Sequence, residues 1–337
     1  MVQPRSAEGD DKMRILYFGG GWPTNIGNAF IDLGAMALLR LALPNTAIGF
    51  ASGLPRWHFA RSIEVSPRTP SGLIDRIRRK RERPGDGLSA DNALVPAALT
   101  ECDLAVYSGN AVTEIFVKQS GGTMLALAER GVPILLLGVG GSSYCDSERD
   151  TYSDFLRRLK PLAFVSRDDV TYAAYQHAVR NSHPGIDCAF FLPDAYKPFR
   201  LALPDYVVAA FDACPEPRLD AKGRLLVRAH HQIYEAAPRA WVDTDNTLIS
   251  DIPQDYLTLY ANAQEVHSDR VHACVASLAY GGAARLYNST PRGSLLDCAG
   301  AYGIREDLAK LDMGLLAQKK NAQVAYVREV VSKHFDQ

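Results

Sequence analysis

An arginine and a histidine stand two residues apart in the stretch HSDRVHACVASLAYGG, which ends at Gly282. The pattern is typical of a strand end, a turn and an apolar helix. It places Arg270 and His272 in the first helical turn, with Ser268 or Asp269 as N-cap. A cation near a helix N-terminus is unfavourable, and an anionic ligand would offset that cost. Two interpretations stay open at this point: a capping turn with a satisfied histidine, or the reactive end of a site.

Two further arginines are expected at the edge of a sheet. In FVSRDD, Arg167 comes directly after an apolar strand, and Asp168 fits a helix N-cap. An arginine at the carboxyl end of a parallel strand faces the ligand crevice, where its fork of donors suits a carboxylate or a phosphate. Arg292, in YNSTPRGSLL, lies in another loop at the corresponding edge. Considered by itself, the loop around Arg292 is also consistent with an ordinary βα loop that binds no ligand.

Three loops rich in glycine, serine and asparagine follow other apolar strands. Their sequences are FGGGWPTNIGN (18–28), VYSGN (106–110) and GVGGSSY (138–144). The first opens a helix whose N–H groups suit an anion, although it does not match the dinucleotide fingerprint G-x-G-x-x-G. Because the carboxyl ends of parallel strands share one edge, we expect these loops to form a crevice floor. The residues assigned to acceptor binding or cleft lining are Asn25, Gly27, Asn28, Asn110, Ser142 and Ser143.

The surrounding pattern predicts an α/β fold. From Met13 onward, short apolar runs such as IDCAFF (186–191) alternate with amphipathic helical stretches, which favours parallel sheets covered by helices. A chain of 337 residues fits two domains, and three prolines within 192–206 interrupt the alternation. We therefore predict two doubly wound, Rossmann-like domains facing a central cleft, followed by a long C-terminal helix. The predicted boundaries are a disordered leader at 1–12, domains at 13–198 and 199–316, and the helix at 317–337.

The bulk composition narrows the class of protein. Apolar residues make up 47% and charged residues 22%, as in folded soluble proteins, and the net charge of −1 offers no general attraction for nucleic acid. The six cysteines lack metal-ligand spacing, which favours reduced thiols. No run approaches about 18 apolar residues, so no transmembrane segment is expected. These features predict a cytoplasmic protein without a nucleic-acid partner, and they leave the oligomeric state open.

Two polar segments allow second interpretations. GLIDRIRRKRERPGDG (72–87) has six basic residues between Arg76 and Arg83. A solvated surface segment accounts for them, and contact with an anionic membrane surface is the alternative. VDTDN (242–246) has the D-x-D spacing that some glycosyltransferases use for divalent metals, but its polar context is typical of a turn. The chain shows no zinc, P-loop or other metal-ligand pattern, so no metal site is predicted.

Four stretches together resemble the polysaccharide pyruvyl transferase family in order and spacing over about residues 14–300: TNIGNAFIDLGAMALL, FVSRDD, IDCAFFLPD and VHSDRVHACVASLAYGG. The family is similar in shape to two-domain glycosyltransferases of the GT-B type. The resemblance therefore implies a GT-B-like fold, with the acceptor side in the N-terminal domain and the donor side in the C-terminal domain. Members transfer pyruvate from phosphoenolpyruvate onto two hydroxyls of a sugar, forming a cyclic ketal in cell-surface polysaccharide synthesis.

The resemblance also implies roles for individual residues. Arg167, Arg270 and Arg292 would bind the donor's carboxylate and phosphate, and His272 would act as general acid beside Arg270. Arg292 stands where the family often has lysine, and Asn28 where it usually has aspartate. Phosphoenolpyruvate would be the donor substrate, with no cofactor.

The acceptor would be a saccharide. If it is lipid-linked, the basic run at 76–83 could hold the enzyme at the inner membrane face. Two alternatives remain at this stage: a GT-B-type glycosyltransferase that uses a nucleotide sugar, and a non-catalytic member that binds glycan or partner proteins.

Overall fold

The computed structural model describes residues 12–54, 94–232 and 245–336. The first of its two sheets lies near the N-terminus, and every neighbouring pair of its strands is parallel. The strand order is β2-β1-β3-β4-β5-β6. The strands are β1 (Met13–Gly19), β2 (Thr46–Ser52), β3 (Leu104–Gly109), β4 (Ile134–Val139), β5 (Ala163–Ser166) and β6 (Ser182–His183).

The second sheet is also entirely parallel and has the order β11-β10-β7-β8-β9. Its strands are β7 (Tyr206–Ala210), β8 (Leu225–Ala229), β9 (Thr247–Leu248), β10 (Glu265–Ser268) and β11 (Ala283–Leu286). The order reverses between β7 and β10, so the loops that follow these two strands diverge to opposite faces. In doubly wound folds this divergence opens a crevice at the carboxyl ends of the strands.

Nine α-helices connect and cover the two sheets in the described part of the chain. They are α1 (Gly27–Ala42), α2 (Glu114–Glu129), α3 (Asp146–Leu159), α4 (Asp169–Tyr175), α5 (Leu192–Ala195), α6 (Pro253–Asn262), α7 (Val271–Ala279), α8 (Ser294–Ala299) and α9 (Met313–Phe335). The predicted α/β class and the long C-terminal helix are confirmed, although α9 begins four residues earlier than predicted. The domain boundaries stay predictions, and residues 1–11 and 76–83 lie outside the described residues.

The strand predicted at 186–191 is wrong. Cys188–Phe191 form a 3-10 helix instead, and the side chain of Asp187 accepts the N–H of Ala189 (2.8 Å) as its N-cap. The run is buried on every side, between α1 and α7. A short run with no polar face has no period that separates a strand from a helical turn, so the sequence pattern could not decide between them.

Helix α1 joins the two halves of the molecule. One apolar core extends from the strands of the first sheet through α1 and residues 188–192 to α7 and the second sheet. Helix α9 packs back against the first half, where Gln323 Oε1 accepts the N–H of Ile186 (2.7 Å). The guanidinium of Arg328 donates to the carbonyl oxygens at the end of α1. No helix of the described ranges is long and apolar enough to cross a membrane.

Replacing Gly34 with alanine should destabilise the fold. A Cβ at Gly34 would overlap the backbone carbonyl of Cys188, so either α1 or the 3-10 helix must shift. Overpacking of this kind costs about 1–3 kcal/mol, which urea unfolding would detect. Gly121→Ala in α2 is the matched control, since its Cβ would meet only side-chain atoms, the nearest in Phe155 at 3.1 Å. Equal losses in the two variants would contradict the close approach at Gly34.

Candidate functional site

A cavity opens where the loops after β10 and β11 meet the N-terminus of α1. It lies beside the point where the strand order of the second sheet reverses, as the topology predicts. Four residues predicted for the site lie in its wall, namely Asn25, Arg270, His272 and Arg292. The wall is completed by His231, Asp269, Val271, Asn288 and Thr290.

The start of α7 differs from the prediction. The helix begins at Val271 with Arg270 itself in the N-cap position, and no side chain caps it. Ser268 Oγ accepts the N–H of Arg270 (2.7 Å), one residue before the helix. The carboxylate of Asp269 is turned away, because it accepts the N–H groups of residues 212–214 in the loop after β7. Asp269 therefore holds two strand-end loops together instead of capping the helix.

Arg270 is held by a buried carboxylate. Its Nε donates to Asp212 Oδ2 (2.7 Å), and Asp212 also accepts the backbone N–H of His231 (3.0 Å) and lies 3.0 Å from His230 Nδ1. Burial favours the neutral acid, but the hydrogen bond from His230 and the charge of Arg270 outweigh it and lower the pKa of Asp212 to about 2. Arg270 Nη2 is buried and has no hydrogen-bond partner in the structure. Nε is thus anchored, and Nη2 on the same edge of the guanidinium has a donor that no described residue uses.

Asp212 was missed by the sequence reasoning. It follows the strand YVVAAF near its carboxyl end, and that position was the available signal.

Two more guanidinium groups lie near Arg270. Arg167 is 1% exposed, and its Nη2 donates to the carbonyl of Gly141 (2.8 Å). Its Nε lies 3.7 Å from Asp168 Oδ2 and has no hydrogen-bond partner among the described residues. Burial lowers the pKa of Arg292, and the positive charges of Arg167 and Arg270 lower it further. Arg292 pairs with no carboxylate among the residues that the structure describes. The three arginines therefore repel one another, and an anion bound among them would relieve that repulsion.

The two histidines of the cavity differ in their surroundings. His231 Nε2 lies 2.5 Å from the hydroxyl of Tyr260, and burial lowers the pKa of His231 to about 3, so this ring is neutral at neutral pH. His272 Nε2 instead lies 3.5 Å from Oδ2 of Asp187, which is fully buried. His272 is thus the histidine of the cavity that faces a carboxylate.

Four other predicted residues serve the loops of the first sheet. Asn28 Nδ2 donates to the carbonyl of Gly21 (3.2 Å). Ser142 and Ser143 each donate their hydroxyls to Glu148 (2.9 Å). Asn110 follows β3, and its buried Oδ1 accepts no hydrogen bond from a described residue. None of the four lines the cavity in the described part of the chain.

A buried carboxylate that the sequence reasoning also missed anchors the glycine-rich loop after β1. Asp32, on α1, accepts hydrogen bonds from the hydroxyl of Tyr17 (2.8 Å), the N–H of Gly20 (2.8 Å) and Nε1 of Trp22 (2.6 Å). Burial raises the pKa of Asp32 to about 6, although the three donors oppose the shift. The loop that leads to Asn25 is therefore fixed to α1.

The titration of Asp32 should make the stability depend on pH. Since its pKa in the folded state lies above the ordinary value of 3.8, the carboxyl favours folding most below about pH 4, and this contribution is lost as the pH rises through about 6. We expect the free energy of unfolding of the wild type to fall by about 3 kcal/mol over that range relative to Asp32→Asn. Urea unfolding of both proteins at several pH values measures the difference. If the free energy of unfolding changed with pH in the same way in both proteins, Asp32 would not titrate in this pH range.

The described residues contain no group of three or more His, Cys, Asp or Glu side chains arranged to hold a metal ion. The D-x-D segment at 242–246 lies mostly outside them.

The fold and the site together define a GT-B-like α/β protein with an arginine-rich crevice beside its second sheet. Residues 25–287 match the model of the polysaccharide pyruvyl transferase family. The chain belongs to this family and is a transferase. A search of curated proteins found no match.

Solved structures with similar folds include UDP-sugar enzymes of low sequence identity. A protein from Listeria monocytogenes described as a UDP-N-acetylglucosamine 2-epimerase has a TM-score of 0.52 at 11% identity. The alignment covers 96% of this chain and 97% of that protein. A further UDP-N-acetylglucosamine 2-epimerase has a TM-score of 0.52 at 10% identity, covering 97% of both chains. S. aureus MnaA, solved with UDP, has a TM-score of 0.50 at 12% identity, covering 94% and 91%. These likenesses establish the fold.

Proposed function

We propose that the protein transfers pyruvate from phosphoenolpyruvate onto two hydroxyls of a saccharide, forming a cyclic ketal and releasing phosphate. The observation that carries the proposal is the convergence of Arg167, Arg270 and Arg292: burial lowers the pKa of Arg292, and the charges of the other two arginines lower it further. A small donor with a carboxylate at one end and a phosphate at the other would neutralise such a cluster.

The three arginines would divide the donor between them. Arg270 keeps its Nε on Asp212 and offers Nη2, which has no other partner. Arg292 lies in the cavity wall, and the charge of Arg167, whose Nε makes no hydrogen bond to a described residue, acts on Arg292. The cations on several loops would hold both anionic ends and thereby orient the enol double bond.

His272 would supply the proton that starts the reaction. Proton transfer from the imidazolium to the methylene carbon makes a methyl group and leaves an oxocarbenium-like centre at the carbon that bears the phosphate. One sugar hydroxyl attacks that carbon and loses its proton. Phosphate then departs with its bonding electron pair, and the second hydroxyl closes the ring and loses its proton. One of the two released protons restores His272, and the other leaves on phosphate. The steps balance without an oxidant, a metal or an organic cofactor.

The saccharide would approach from the side of α1, where Asn25 lines the cavity and Gly27 adjoins His272. A lipid-linked saccharide would bring the protein, which we propose is cytoplasmic, to the inner membrane face. The basic run at 76–83 would make that contact. Neutralising those charges should then abolish binding to anionic vesicles, and unchanged vesicle binding would exclude the contact.

Ligand-dependent melting tests the proposal, because a ligand that binds only the folded state raises the melting temperature. We expect phosphoenolpyruvate to stabilise the wild type and to have little effect on Arg292→Gln. That variant removes a charge without leaving a described carboxylate unpaired. UDP-N-acetylglucosamine serves as the second ligand, since nucleotide-sugar glycosyl transfer is the alternative that the UDP-bound structure with this fold suggests. Stabilisation by the UDP-sugar alone would replace the proposed donor.

A further inference from the structure

We infer that Asp187 is a positioning residue that holds His272 by Nε2 and so leaves Nδ1 as the atom that delivers the proton. The inference rests on the proposed function for its catalytic part, but its structural part concerns the two side chains alone. The observation behind it is a pair of buried atoms with no competing partners, Asp187 Oδ2 and His272 Nε2, that lie 3.5 Å apart.

The carboxylate of Asp187 is rigidly placed. Its Oδ1 accepts the N–H of Ala189 (2.8 Å) at the start of the 3-10 helix, and the residue is fully buried. Its Oδ2 has no hydrogen-bond partner in the structure, and His272 is the side chain with which it pairs. Burial alone would raise the pKa of Asp187, but hydrogen bonding and the charges of His272 and Arg167 outweigh it, and the pKa is lowered. The group is therefore an anion placed to accept a hydrogen bond from the imidazole.

A separation of 3.5 Å is long for a hydrogen bond. Contacts of this kind commonly shorten when the substrate binds.

The other ring nitrogen lies beside Gly27. A Cβ at Gly27 would lie 3.0 Å from His272 Cβ and 3.4 Å from Nδ1. Because Gly27 has no side chain, it places no atom of its own against Nδ1, and His272 and Asn25 line the same cavity. The carboxylate requires a proton on Nε2, so Nδ1 is the nitrogen that gains and loses a proton.

Charged and titratable neighbours surround the ring on every packed element. Asp187, after β6, pairs with the ring, Arg270 stands two residues before His272 at the start of α7, and the charge of Arg167 acts on Asp187. His231, after β8, interacts with His272 but is neutral at neutral pH. The carboxylate that pairs with the ring is thus supplied by the first half of the chain, and the ring by the second. The acid would be oriented only while the two halves are packed together.

Asp187→Asn separates orientation from binding. We expect kcat to fall about 10- to 100-fold, as when other carboxylates that orient histidines are removed, with little change in KM for phosphoenolpyruvate. Nitrogen NMR of protein labelled with ¹⁵N-histidine gives a readout that needs no substrate, with His272→Gln identifying the signal. The neutral ring of the wild type should carry its proton on Nε2, and Asp187→Asn should mix the two tautomers.

Gly27→Ala is the second variant, since it crowds Nδ1 without touching Asp187. It should lower kcat while Nε2 stays protonated in the neutral ring. This variant and the wild-type spectrum keep the inference testable even if Asp187→Asn does not fold.

A wild-type ring with its proton on Nδ1, or an unchanged tautomer and kcat in Asp187→Asn, would overturn the inference. If the tautomer is as expected but phosphoenolpyruvate neither binds nor reacts, the pair stands and the proposed function fails.

Discussion

His272→Gln should lose nearly all turnover and still bind phosphoenolpyruvate. A positioned general acid contributes about 10²–10⁴-fold to a rate, and glutamine has no proton to give at neutral pH. The arginines that would bind the donor are unaffected, so the rise in melting temperature on adding phosphoenolpyruvate should persist. Steady-state release of phosphate in the presence of acceptor measures the loss, and thermal melting measures the binding.

His267→Gln is the matched control for this substitution. His267 lies on β10, where Nδ1 is 3.0 Å from the hydroxyl of Tyr287 and Nε2 is 3.3 Å from Glu265. It does not line the cavity, so its replacement should leave turnover near the wild-type value. Full activity in His272→Gln would show that another group, or solvent, supplies the proton.

Arg270→Met should have two large effects that can be measured separately. It removes the guanidinium that pairs with Asp212, and a buried charge left without its partner typically costs about 3–5 kcal/mol. It also removes Nη2, so binding of phosphoenolpyruvate should weaken about 100-fold or more, since hydrogen bonds between charged groups are among the strongest. Urea unfolding and titration calorimetry measure these losses.

A double variant distinguishes the two effects. Adding Asp212→Asn to Arg270→Met removes the unpaired charge while keeping an acceptor for the N–H of His231. We expect much of the lost stability to return, because the two residues are directly coupled. Binding of phosphoenolpyruvate should stay lost, since no guanidinium is restored. Recovery of binding in the double variant would mean that Arg270 supports the fold and does not contact the donor.

Much of the architecture follows from periodicity. Buried strands such as β4, alternating with amphipathic helices, predict a parallel α/β fold because each layer must cover the apolar faces of the next. The sequence also predicted that Arg270 and His272, which follow an apolar strand, belong to the site, since strand ends in such folds lie at one edge. The family resemblance rests on these local patterns, and the match over residues 25–287 confirms it.

Only the tertiary structure decided which side chains hold the reactive groups. Asp212 and Asp187 lie 58 and 85 positions from the residues they serve, Arg270 and His272, and no local pattern connects such positions. The 3-10 helix that follows Asp187 was predicted as a strand, because its conformation also depends on tertiary packing. A run buried on every side has no polar face, so its conformation is set by the helices packed around it. The sequence by itself thus determined the layers, the strand-end loops and the family, and packing between distant segments determined how the site is assembled.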